Sequence, residues 1–92
     1  MLTGFQIRAA RAGLKITARE LAERAHVSLP TIQRFESVDG VPPSRSSTLR
    51  DVQNALEAAG IEFLPGNGVR LREAEATKAA ESAVDAQGRS RR

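Results

Sequence analysis

The residues best suited to chemistry fall between Thr17 and Glu36, in the run TARELAERAHVSLPTIQRFE. That run pairs two short helices across a tight turn. Ser28, Leu29, Thr31, Gln33 and Arg34 are left on the outer face of the second helix, with Pro30 in its first turn. Thr17 and Arg19 stand at the start of the helix before it. These side chains offer hydroxyl, amide and guanidinium groups without a nucleophile–base pair, so their chemistry is hydrogen bonding. Arg is the natural bidentate partner of guanine O6 and N7, Gln suits adenine or a phosphate, and Leu suits the methyl group of thymine. Arg45, in the loop that follows, has two readings of equal standing: a phosphate or minor-groove contact, and a solvated loop cation.

Other chemistry lacks its parts. One His and no Cys are too few for a clustered metal site or a disulfide framework. Ser, Asp and the single His show no spacing that supports a catalytic triad, and His26 reads as a turn residue. Pro65-Gly-Asn-Gly68 lacks the helix and Lys that a phosphate loop requires. The expectation is a non-enzyme that uses no cofactor and no metal. Fourteen Lys+Arg against eleven Asp+Glu give a net charge of +3, and twelve of those cations are Arg. The guanidinium bias suits phosphates and base edges. Arg8, Arg19 and Arg24 read as surface charges, Arg19 being the best phosphate candidate. No apolar run approaches ~20 residues, so no membrane span is expected. With no charged-then-apolar leader, the expected location is the cytoplasm.

The elements that must position these groups are legible from their ends. Thr3 is an N-cap for a helix to about Leu14, with Phe5, Ile7 and Leu14 as apolar positions. Thr17 and Glu20 form a capping box that opens a second helix to about Ala25, and Ile16 before the cap pairs with Leu21 as a hydrophobic staple. Ser28 caps a third helix, where Pro30 costs nothing in the first turn. Ile32 and Phe35 share one face of it, and it ends near Ser37. After a loop over 39–47, Ser47 or Thr48 begins a fourth helix with Leu49, Val52, Leu56 and Ala59 on a stripe, stopped by Gly60.

Beyond Gly60 the period changes to two. IEFL and VRLR flank the PGNG cluster and read as two short strands of a β-hairpin. Only an odd loop, of three or five residues, pairs Phe63 with Val69 and Ile61 with Leu71 on one face and sets Glu62 opposite Arg70 on the other. A lone hairpin is marginal in water, so its apolar face must pack on helices or on a second subunit. Residues 73–92 are neutral overall, with acidic residues first and Arg89, Arg91 and Arg92 last. Val84 is their only large apolar side chain, which leaves a mobile or weakly helical tail. The expected organisation is a helical domain over 1–60, a β-hairpin over 61–72 and the tail over 73–92.

The stretch RAARAGLKITARELAERAHVSLPTIQRFE, residues 8–36, follows a known order of first helix, capped second helix and recognition helix without a gap. Ala22 is informative, because a larger residue there would push the two helices apart. In this the chain resembles the XRE family of phage-repressor and Cro-like helix-turn-helix regulators, over roughly residues 5–60. The resemblance implies a mainly α, lambda-repressor-like domain of four to five helices that binds double-stranded operator DNA as a homodimer. It implies that Ser28 to Thr31 touch phosphate and the first bases, and that Arg34 contacts a base one turn later. It also implies an ion pair between Arg11 and Glu36 that orients the recognition helix. The chain departs from the family where Ala18 replaces a usual Gln, where His26 stands at a turn position usually held by left-handed Gly, and where Lys15 stands at a place in which Gly often follows the first helix.

The resulting expectation is a sequence-specific transcription regulator with helix 29–37 in the major groove. Half-sites of an inverted repeat would lie about 10 bp apart. The hairpin and the fourth helix are the expected dimer surface, because Ile61, Phe63, Val69 and Leu71 need cover. Two other readings stand beside it. One is a DNA-binding antitoxin whose 73–92 tail holds a toxin. The other is a protein-interaction module that has lost DNA binding, for which Ala18 argues.

Overall fold

Three hydroxyls set the starts of the first three helices. In a computed structural model, which describes residues 1–72, Thr3 opens α1 (Gly4–Leu14), Thr17 opens α2 (Ala18–Ala25) and Ser28 opens α3 (Leu29–Glu36). Each hydroxyl accepts the backbone N–H three residues on, at 3.0–3.2 Å. Gln6 and Glu20 reach back to the amides of Thr3 and Thr17, so α1 and α2 both begin in capping boxes. The expected tail over 73–92 lies outside the described residues.

The first two helices also end alike. Lys15 and His26 close them in the left-handed conformation, at φ 59° and 60°. The next amide in each case, Ile16 or Val27, donates back five residues to Arg11 or Ala22 at 3.2 and 3.0 Å. Ile16 and Val27 are half-buried against the core. The burial of the apolar residue after each turn therefore holds a non-glycine residue where glycine would be unstrained.

α4 (Ser46–Ala58) starts one residue before the earlier of the two expected positions. Arg45 is its N-cap, and no side chain makes the capping bond. The first helical bond runs from Leu49 N–H to the Arg45 carbonyl, and Leu49, Val52 and Leu56 are all buried. Burial of that stripe, rather than a hydroxyl at Ser47 or Thr48, sets the start.

Ile7, Leu21, Ile32, Phe35, Val52 and Leu56 are fully buried and form the centre of the core. Phe5 does not join them. It is 44% exposed, while Leu2 before the helix is buried. On α1 the inward stripe runs through Gln6, Ile7 and Ala10, which turns Phe5 to the flank beneath the Arg8 guanidinium, 5.8 Å away.

The last two elements, β1 (Ile61–Phe63) and β2 (Val69–Leu71), form an antiparallel two-stranded sheet. Ile61 pairs with Leu71, Glu62 with Arg70 and Phe63 with Val69, across the five residues 64–68. Ile61 is buried, and Phe63, Val69 and Leu71 pack on the same core against α1 and α4. The apolar face packs on helices of its own chain, one of the two expected ways of covering it, and Phe63, Val69 and Leu71 remain half-buried there. Gln6, itself buried, donates to the Gly68 and Leu64 carbonyls at 3.3 and 3.5 Å and ties the 64–68 turn to α1. Among the described residues no helix is long and apolar enough to cross a membrane.

Candidate nucleic-acid interface

α2 and α3 pack through side chains that allow close approach. Ala22 and Ala25 are buried on α2, and Ile32 and Phe35 are buried on α3. With Ile32 and Phe35 facing inward, the 3.6-residue period turns Pro30, Gln33, Arg34 and Ser37 outward, and all four are exposed. Leu29 and Thr31, expected on the outer face, are half-buried at its margins. Leu29 packs against the core. The Thr31 hydroxyl lies 2.8 Å from that of Ser28.

Arg34 is the cation at the centre of this stripe. Its guanidinium lies 5.6 Å from the Phe35 ring centroid, and no ion pair holds it among the described residues. Arg19 and Arg45 are exposed and likewise without an ion pair there. Arg19 stands in the first turn of α2, whereas Arg45 belongs to a different element, as the residue before α4.

Thr17 and Ser28 each accept a capping amide, and each hydroxyl pattern leaves one hydrogen for an outside acceptor. The amides of Ala18, Arg19 and Leu29 have no acceptor among the described residues. Pro30 supplies none, so α3 has fewer free donors at its start than an ordinary helix. Ala18 is half-buried against the core and cannot supply the contact of a Gln.

The opposite side of α3 is held from α1. Arg11 meets the Glu36 carboxylate with two bonds, Nε to Oε2 at 2.9 Å and Nη2 to Oε1 at 3.0 Å, and donates a third to the Ile16 carbonyl at 3.2 Å. The Glu36 partner raises the pKa of Arg11 above its ordinary value, through the hydrogen bond first and its charge second. Side-chain exposures of 28% and 11% place the pair between the surface and the interior, where losing one partner costs more than at an open surface.

Arg8 lies at the surface, as expected, with its side chain 36% exposed, but it has partners there that the sequence reading did not assign. Its Nη1 donates to the carbonyls of Glu36 and Val38 at 2.5 and 3.1 Å, and Nη2 pairs with the Asp39 carboxylate. A cation at this place satisfies the carbonyls and the negative end of α3. The available signal was its spacing: Arg8 and Arg11 are one turn apart on α1.

Gly4 completes the clamp. A Cβ there would stand 1.9 Å from the Val38 oxygen and 2.4 Å from the Phe35 oxygen. Its N–H donates to the Gly40 carbonyl at 2.9 Å. The segment after α3 is therefore seated directly on the first turn of α1.

A helix whose back is fixed by one ion pair and by Arg8 on its last carbonyl, and whose front carries an Arg without an ion pair among the described residues, a Gln and hydroxyls, can present hydrogen-bond donors to a polyanion or to base edges. No family model matches the chain, and no curated protein matches it.

Proposed function

We propose that this chain is a sequence-specific DNA-binding transcription regulator of the helix-turn-helix kind, with α2 and α3 as the two helices of the motif. The reading rests on one observation above the others: Gln33 and Arg34 are exposed side by side on α3, while Arg8 and Arg11 grip the other end and side of that helix. In this reading α3 lies in the major groove, and Arg34 addresses guanine O6 and N7. Gln33 takes an adjacent base or phosphate. Arg19, Thr17, Ser28 and the free amides at the two helix starts hold the backbone, which sets register without reading sequence. Arg45 is a further phosphate contact.

One such helix reads few bases, so specificity calls for two copies on an inverted repeat, with half-sites about 10 bp apart. The resemblance to the XRE family and the mainly helical fold support the same assignment. The test is a selection of random duplex DNA by the full chain at ~150 mM salt, followed by affinity across a salt series. An enriched inverted repeat bound far more tightly than competitor DNA is the expected result. Weak, sequence-blind and steeply salt-dependent binding would overturn it.

A further inference from the structure

We propose that Asn67–Gly68 is a self-modifying site, at which the Asn67 side-chain amide is lost through attack by its own main chain. Asn67 is exposed at the tip of the turn between β1 and β2. The Gly68 amide that follows it closes the turn over Gly66 and Asn67 without a hydrogen bond of good geometry among the described residues, and glycine has no side chain to shield that nitrogen. The ring-forming nucleophile and the carbon it attacks thus sit on neighbouring residues outside any helix or strand, with the Asn67 side chain exposed and Gly68 half-buried.

The pair is there for structural reasons that leave the turn little choice. A Cβ at Gly68 would stand 2.9 Å from the Leu64 Cβ and 3.3 Å from its Cδ1, so glycine is favoured at 68. The Asn67 Oδ1 accepts the Thr3 hydroxyl at 2.8 Å, which gives Asn67 its own part in fastening the turn to the start of α1. The fold therefore retains a reactive dipeptide in order to dock the turn.

The reaction balances with water alone. The Gly68 nitrogen loses its proton to solvent base and bonds to Asn67 Cγ. The Cγ–Nδ2 bond breaks and the nitrogen departs as ammonia, leaving a five-membered imide. Water then opens either carbonyl of that ring, and nothing is oxidised or reduced. Cleavage at Cγ gives Asp in a normal chain. Cleavage at the main-chain carbonyl gives isoaspartate, with one more carbon in the backbone. The Asp product adds negative charge beside the first turn of α1, a favourable place for it. The isoaspartate product displaces the Gly68 carbonyl, which receives Leu64 N–H at 2.9 Å and Gln6 Nε2 at 3.3 Å, and so loosens the turn from α1.

Asn54 provides an internal comparison, being the chain's other Asn. It is also exposed, but it lies within α4 and is followed by Ala55. The experiment incubates the folded full chain in mildly alkaline buffer and maps ammonia loss and isoaspartate by peptide mass spectrometry. Asn67 should convert about tenfold faster than Asn54 or more, a difference in barrier of about 1.4 kcal/mol. N67Q, whose longer side chain must close a larger ring, should show no comparable loss at that position. Two results would each overturn the proposal: conversion at Asn67 no faster than at Asn54, or an Asn67 that stays intact in the folded chain over a period in which it converts in the urea-unfolded chain.

Discussion

Arg11 and Glu36 stand 25 residues apart in sequence and meet through two hydrogen bonds of 2.9 and 3.0 Å. The fork of a guanidinium matched to the two oxygens of a carboxylate fixes direction as well as distance. Because Arg8 binds the main-chain carbonyl of the same Glu36, α1 holds both the side chain and the backbone at the end of α3. The outward stripe of α3 is thereby positioned without drawing on any of the groups it exposes.

This arrangement predicts a strong dependence on either partner of the ion pair. Arg11→Met leaves a mostly covered carboxylate without its partner and should cost about 2–3 kcal/mol. Glu36→Leu should cost a similar amount. The double variant should lose less than the sum, since no charge is then stranded. Urea unfolding of the four proteins measures the coupling, and strict additivity would show that the two side chains do not act together.

The left-handed ends of α1 and α2 predict the opposite sign. Lys15→Gly and His26→Gly each relieve a strained φ and should stabilise by about 0.5–1 kcal/mol, the relief being partly offset by the freer unfolded chain. Gly13→Ala should stabilise by about 0.5–1 kcal/mol for a different reason, because it lies inside α1 with open space around its Cβ. Gly4→Ala should destabilise strongly, since its Cβ meets main-chain oxygens. Thermal unfolding of this set separates conformational strain from packing, and a stabilised Gly4→Ala would contradict the close seating of α1 against the segment after α3.

On the outer face of the sheet, Arg70 donates to Glu62 at 3.0 Å. That bond, then the charges of Arg70 and Arg72, hold the Glu62 carboxyl below its ordinary value. A lowered folded pKa means that the pair's contribution is present above the unfolded pKa and lost as pH falls through the folded one. Arg70→Ala should raise the Glu62 pKa toward the ordinary carboxylate value, and ~1 M salt should do so in part. Carboxyl titration by NMR reads this directly, and an unmoved Glu62 in Arg70→Ala would assign the lowering to another cause.

What the sequence disclosed was local or periodic. Thr3, Thr17 and Ser28 announce helix starts because each cap bond spans three residues. The strand register was legible because a period of two permits one pairing of Ile61, Phe63, Val69 and Leu71 on a shared face. Contacts between distant segments were not. The role of Arg8 depends on carbonyls 28 and 30 residues away, and its spacing of one turn from Arg11 is the sole local hint of it. Phe5 looked like a core residue because its side chain is apolar, yet the inward stripe of α1 is set by Ile7 and Ala10. Leu29 was assigned to the reading face by its place in the first turn of α3, where its bulk also reaches the core. At the interface, Arg34 and Gln33 could be found from spacing relative to Ile32 and Phe35. The free amides of Ala18, Arg19 and Leu29 emerge only once the capping bonds are known.

The proposed division between reading and holding residues makes Arg34 and Arg19 respond differently. Arg34→Ala removes the donor fork at the centre of the exposed stripe and should reduce discrimination between the selected site and competitor DNA by ~1–3 kcal/mol. Arg19→Ala removes a cation at the start of α2 and should weaken all sequences alike, lowering the slope of log affinity against log salt by about one unit. Neither side chain has an ion pair to lose among the described residues, so unfolding free energies should stay within about 0.5 kcal/mol of the parent. That stability measurement separates a loss of contact from a loss of fold. Unchanged specificity in Arg34→Ala, with stability preserved, would move the reading role away from α3's exposed stripe.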